Sequence, residues 1–105
     1  MKLSALFHKT PKATIKDGQQ TAHITVDEKG YEPATIELTA NTPIKLVFNR
    51  TNDSMCLARV QGEHPAFDVK LPLNQDVVVT LDGLTPGTYQ YHCGMNMFHG
   101  QLVVK

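Results

Sequence analysis

Setting aside Met1, the sequence holds five sulfur atoms, in Met55, Cys56, Cys93, Met95 and Met97. All five fall in two short windows, 55–56 and 93–97. Thiolate and thioether are soft donors, and together they select monovalent copper over hard cations. In Cys93-Gly94-Met95-Asn96-Met97 a sulfur recurs at every second residue, so an extended or loosely coiled loop projects all three towards one point. Gly94 removes side-chain bulk there and widens the accessible backbone angles. Core packing is the competing reading, because Met fills gaps and Cys behaves as a small buried hydrophobe. For any single sulfur, packing is the better reading. The set is different: Gly94, Asn96 and the following Phe98-His99-Gly100 make 94–100 a loop, a poor place to bury three sulfurs without purpose. A Cys56–Cys93 disulfide is the remaining alternative, disfavoured by the lack of an export signal.

The histidines carry less. His92 directly precedes Cys93, so in a strand it points to the opposite face. His99 either caps the open side of a sulfur site or folds away from it. His8, His23 and His64 read as solvated. Met55 faces away from Cys56 if 55–60 is extended. A thiol enzyme with Cys93 as nucleophile and His92 or His99 as base ranks last, since no complete acid–base–nucleophile set accompanies the thiol.

These residues need strands to position them. Ala22, Ile24 and Val26 alternate with Thr21, His23 and Thr25, a period of two that marks a half-buried strand. Glu28-Lys29-Gly30 breaks it. Ile36 and Leu38 alternate next, then Ile44, Leu46 and Phe48 after the Asn41-Thr42-Pro43 break. A polar loop at 50–54 leads into Met55-Cys56-Leu57-Ala58-Arg59-Val60. Phe67, Val69 and Leu71 alternate before Pro72, and Val77–Leu81 is β-branched enough to be a strand. Residues 87–93 and 101–104 complete the series. No window of twelve residues holds a 3.6-residue apolar stripe. Seven or eight short strands with regular turns predict a Greek-key antiparallel β-sandwich, with Cys56 and the 93–97 loop at the same end. Leu84-Thr85-Pro86-Gly87-Thr88-Tyr89 predicts a tyrosine corner, its hydroxyl bonded back to the preceding loop.

Composition sets the outer bounds. A chain of 105 residues and 11.6 kDa is one domain. Its 41% apolar and 19% charged residues are those of a globular protein. Ten basic residues balance ten acidic ones, which argues against nucleic-acid binding by phosphate neutralisation. The balance is uneven: residues 1–16 carry four Lys and no acid, leaving six basic against ten acidic residues, or −4, for 17–105. The expected organisation is a short basic arm over 1–19 and one folded domain over 20–105. Leu3, Leu6 and Phe7 could form one apolar turn beside Lys2 and Lys9, but a frayed terminus is the simpler reading. No run approaches the roughly 20 apolar residues of a membrane-spanning helix. Met1–Lys9 is interrupted too early to supply a signal-peptide core. The expected compartment is the cytoplasm, with membrane association if an upstream anchor has been removed.

A β-sandwich with a cysteine-led loop between its last two strands resembles a cupredoxin, and Gly87-Thr88-Tyr89-Gln90-Tyr91-His92-Cys93-Gly94-Met95 is similar to that family's closing hairpin. The resemblance spans residues 20–105. Electron-transfer cupredoxins use an upstream His, the loop Cys, a second His shortly after it and a weak axial Met. Here Cys56 stands near the position of the upstream His, Met95 and Met97 stand where the second His is expected, and His99 comes late with no Met after it. Blue copper needs two imidazoles beside its thiolate. The pattern instead resembles the cupredoxin-fold Cu(I) chaperones of bacterial copper efflux and the related N-terminal soluble domain of some Cu(I)-exporting P-type ATPases. That resemblance implies Cys56, Cys93, Met95 and Met97 as ligands for one or two Cu(I) ions. It implies a monomeric, non-enzymatic carrier that buffers copper and passes it to an exporting ATPase. The alternative is a blue-copper electron carrier using Cys93 with His99 or His92.

Overall fold

Alternation along the sequence becomes burial along the strands. The structure, a computed structural model, describes residues 12–63, 66–94 and 98–105, with Cys56 described through its backbone alone. The ten strands are β1 (Thr14–Lys16), β2 (Gln19–Asp27), β3 (Gly30–Glu32), β4 (Thr35–Leu38), β5 (Ile44–Arg50), β6 (Arg59–Glu63), β7 (Ala66–Lys70), β8 (Asp76–Leu81), β9 (Gly87–Cys93) and β10 (His99–Val104). One sheet runs β1-β2-β5-β8, with β3 also paired to β2; the other runs β4-β10-β9-β6-β7. Ala22, Ile24 and Val26 face inward from β2, and Ile44, Leu46 and Phe48 from β5, as their spacing predicts. Among the described residues no helix is long and apolar enough to cross a membrane.

The strand count exceeds the expected seven or eight because β1 and β3 have three residues each, too few to show a period. Nor is the sandwich wholly antiparallel. β2 runs parallel to β5, and β4 parallel to β10. Strand period does not encode direction; the crossover of the chain between sheets does. At the start of the described chain, Thr14 lies opposite Thr21 across β1 and β2. Lys12 and Ala13 reach the other sheet at Glu37, through an ion pair at 3.5 Å and a backbone hydrogen bond at 3.1 Å. The Met1–Phe7 segment lies outside the described residues.

The tyrosine corner is present. The Tyr89 hydroxyl donates to the Thr85 carbonyl at 2.7 Å and lies 3.0 Å from Thr85 Oγ1. Deeper in the core an aromatic cluster centres on the fully buried Tyr91, edge-on to Tyr31 at 4.8 Å and to Phe48 at 5.6 Å between ring centroids. Such geometry adds to the burial of the rings. Burial also raises the Tyr91 phenol far above its ordinary pKa, so it stays neutral.

Tyr91 owes its place to a glycine. Gly100 lies opposite it on β10, and a Cβ there would sit 2.1 Å from Tyr91 Cζ and 2.3 Å from its hydroxyl oxygen. The ring cannot yield without disturbing Tyr31 and Phe48. Gly100→Ala is therefore expected to destabilise by about 1–3 kcal/mol through overpacking. Thermal unfolding followed by circular dichroism checks this; an unchanged Tm contradicts the packing.

Candidate metal centre

Strand ends decide where the chemistry sits. β9 finishes at Cys93 and β10 resumes at His99, so the sulfur-rich loop joins two neighbouring strands at one end of the sandwich. β6 starts at that end too, since Val60 lies opposite Cys93 and the Gly94 amide donates to the Arg59 carbonyl at 3.1 Å. Met55–Ala58 immediately precedes β6. The backbone thus brings the Cys56 turn and the Cys93 loop to the same end, as the sequence predicts.

Cys93 is fully buried and faces inward with Tyr91 two residues before it. The base of its loop is closed twice: the Cys93 amide donates to the Phe98 carbonyl at 3.0 Å, and the Phe98 amide donates to Cys93 Sγ at 3.4 Å. Phe98 is anchored in turn by Gly30, where a Cβ would meet the ring at 2.8 Å and where φ is +104°. Both the close approach and the backbone angle call for glycine. Met95 and Met97 lie outside the described residues, as do His8 and His64.

The other cysteine window departs from expectation. Met55–Ala58 is one 3-10 turn instead of the start of an extended strand. Its four residues, Met-Cys-Leu-Ala, have no polar alternation to mark a strand, and a local backbone bond closes the turn. The Leu57 amide donates to the Ser54 carbonyl at 3.0 Å, and Leu57 is buried as a plug. Met55 is 74% exposed.

Arg50 fixes this corner. It is 8% exposed, and its guanidinium donates to the carbonyls of Asn52 (2.9 Å), Leu71 (2.9 Å) and Ser54 (3.1 Å). The planar fork satisfies three loop carbonyls that would otherwise lose water on burial. Its own carbonyl accepts from the Asn74 amide at 2.7 Å. Sequence reasoning placed Arg50 in a polar loop. The signal was available, since residues 44, 46, 48 and 50 share one parity and Arg50 is the charged member of an inward row.

The imidazoles lie elsewhere. His92 and His99 face each other across β9 and β10, with ring centroids 6.2 Å apart. Successive strand residues point to opposite faces, so both rings occupy the outer face while Cys93 points in. His92 Nδ1 lies 2.8 Å from the Cys93 carbonyl oxygen and donates to it. His23 is exposed on β2. Among the described residues, no group of three His, Cys, Asp or Glu is arranged to hold a metal ion.

An inward cysteine at the end of the penultimate strand, a hydrogen bond to its sulfur and a tyrosine corner on the same strand all belong to one fold. The sequence profile of the cupredoxin-like domain matches residues 2–104. The chain belongs to the cupredoxin-like family. The curated proteins give no match. Among solved structures, the cupredoxin-like domain is similar to the metal-binding domain of the Streptococcus pneumoniae D39 Cu(I)-exporting P-type ATPase CopA, solved with Cu(I). Identity is 28%, covering 92% of this chain and 96% of that one, with a TM-score of 0.87. It is also similar to a copper-binding protein solved in its apo form, at 32% identity over 92% of this chain and 98% of that one, with a TM-score of 0.85. Auracyanin B shares the fold at 19% identity, covering 89% of this chain and 94% of that one, with a TM-score of 0.65.

Proposed function

We propose that this cupredoxin-like domain binds Cu(I) through Cys56, Cys93, Met95 and Met97 and hands it to a copper-exporting ATPase. The observation that carries the reading is the orientation of Cys93. Its sulfur is buried and accepts a hydrogen bond from the Phe98 amide, while the two nearest histidines in sequence face the other side of the strand. Connectivity keeps Met95 within two peptide units of Cys93, and Met97 within one of Phe98. Soft donors are then the ones at hand, and two thiolates with two thioethers favour Cu(I). The likeness to a Cu(I)-bound ATPase domain, over nearly its full length, supports the same conclusion.

Copper is cargo in this scheme. The thiolates supply charge and the thioethers complete coordination without adding any. A thiolate from the acceptor enters, a three-coordinate intermediate forms, and the neutral Met ligands leave first. Two thiolates can also bridge a pair of Cu(I) ions. The carrier acts as a cytoplasmic monomer and catalyses no covalent reaction. The placement of His92 and His99 disfavours the blue-copper alternative, which needs imidazole on the Cys93 side.

The Met ligands should tune binding. Met95→Leu and Met97→Leu roughly preserve volume while removing sulfur, so folding survives. Each is expected to lose or weaken the second copper equivalent while the first stays nearly intact. Anaerobic competition against a colorimetric Cu(I) chelator reads stoichiometry and affinity together. Loss of all binding in the Met variants, with a Cys93→Ser variant still binding tightly, contradicts the proposal.

A further inference from the structure

The outer face of the second sheet carries a second set of donors, of different hardness. His99, His92, Gln61 and Asp68 lie opposite one another in register across β10, β9, β6 and β7, so their side chains form one row. The row lines a groove of about 670 Å³ that also includes Glu63. We propose that His92 and His99 form a binding site for a divalent transition-metal ion such as Ni(II) or Cu(II), distinct from the sulfur site and on the opposite face of the strand that carries Cys93.

Two observations carry this independently of each other. The first is reach. A metal about 2.1 Å from an imidazole nitrogen lies about 3.2 Å from the ring centroid, so one ion can join rings up to about 6.4 Å apart. That limit is the straight nitrogen–metal–nitrogen arrangement; the observed 6.2 Å lies inside it, and rotation about the side-chain torsions that draws the rings about 1 Å closer gives the bent angle of a tetrahedral site. The second is ring orientation. His92 Nδ1 is held 2.8 Å from the Cys93 carbonyl oxygen, so Nε2 is the ring nitrogen turned away from that backbone contact. Donation of the other ring N–H to a backbone carbonyl is the arrangement that orients metal-binding imidazoles and raises their basicity.

Donor chemistry selects the ion. Imidazole suits divalent copper, nickel and zinc, whereas the sulfur loop suits Cu(I). Among the described residues no third His, Cys, Asp or Glu completes the set, so water fills the remaining positions. Asp68 is already engaged, by Arg59 at 3.0 Å and by the Gln61 amide at 3.2 Å. Glu63 contributes negative charge to the groove without needing to coordinate, while the charge of Asp68 is balanced by Arg59.

Ni(II) is the probe, because thiols do not reduce it and a sulfur-bound ion would show intense near-ultraviolet charge-transfer bands. Calorimetric titration of the intact protein is expected to show one Ni(II) equivalent without such bands. His92→Gln and His99→Gln should each weaken it by roughly 10–100-fold or more, the cost of losing even a supporting partner at a metal site. His23→Gln, on the other sheet, should leave it unchanged. In amide-resolved NMR spectra, paramagnetic broadening should centre on residues 61–63, 90–92 and 99–101. Affinity unchanged in both His92→Gln and His99→Gln overturns the proposal. So does broadening centred on 54–58 with charge-transfer bands, which places the ion on sulfur.

Discussion

Cys93→Ser is expected to abolish tight Cu(I) binding, with affinity falling roughly 100-fold or more, beyond the 10–100-fold cost of losing a supporting residue at a metal site. The reason is charge. Removing one thiolate leaves Cu(I) with a single anion and two neutral thioethers. The amide of Phe98, now 3.4 Å from sulfur, would face a hydroxyl that does not ionise at neutral pH. Because Cys93 is fully buried, the variant's fold is checked first by thermal unfolding. Cys56→Ser is the companion, since Cys56 sits on a one-turn segment instead of a core strand. Both variants should fold and both should lose the tight equivalent in chelator competition. Retention of that equivalent by either folded variant rules out a site anchored by two thiolates.

Arg50→Ala is expected to lower stability by roughly 3–5 kcal/mol, since each carbonyl left without its donor away from water costs about 1–3 kcal/mol. Three carbonyls, of Asn52, Ser54 and Leu71, lose their donor together. At about 4 °C or more per kcal/mol for a domain of this size, Tm should fall by roughly 12–20 °C. Arg50→Lys keeps charge and length but not the planar fork, so it restores only part of the loss. The effect should reach the metal centre as well. Ser54 precedes the Cys56 turn, and its carbonyl is held both by Arg50 and by the Leu57 amide. At a temperature where Arg50→Lys is fully folded, its Cu(I) affinity should still be below that of the parent. Unchanged stability in Arg50→Ala contradicts the role assigned to the guanidinium.

Much of the fold was legible because a half-buried strand writes its burial into alternate positions. Residues 22–26, 36–38 and 44–48 carried that period and became inward faces of β2, β4 and β5. Pro86-Gly87-Thr88-Tyr89 carried the corner that the Tyr89 hydroxyl completes. Strand direction was not legible, because the parallel pairs β2–β5 and β4–β10 are set by crossovers between sheets. The Met55–Ala58 turn was not legible either. Its apolar run fits strand or turn equally, and the bonds that Arg50 and the Leu57 amide make to the Ser54 carbonyl are contacts that no local pattern shows. At the candidate site, alternation correctly put His92 on the opposite face from Cys93. The pairing of His92 with His99 needed the register of β9 and β10, which no local pattern reveals. The ligand set of Cys56, Cys93, Met95 and Met97 rests on sulfur chemistry and on family resemblance, and is proposed on those grounds.

X-ray absorption at the copper edge, on the intact domain loaded anaerobically with Cu(I), tests the central claim most directly. A Cu(I) ion held by thiolates and thioethers has a filled d shell and soft neighbours only. The expected spectrum is that of Cu(I) in a sulfur-only shell, from a colourless protein. Imidazole scattering in that shell, or a strongly coloured Cu(II)–thiolate complex stable at one equivalent, contradicts the account.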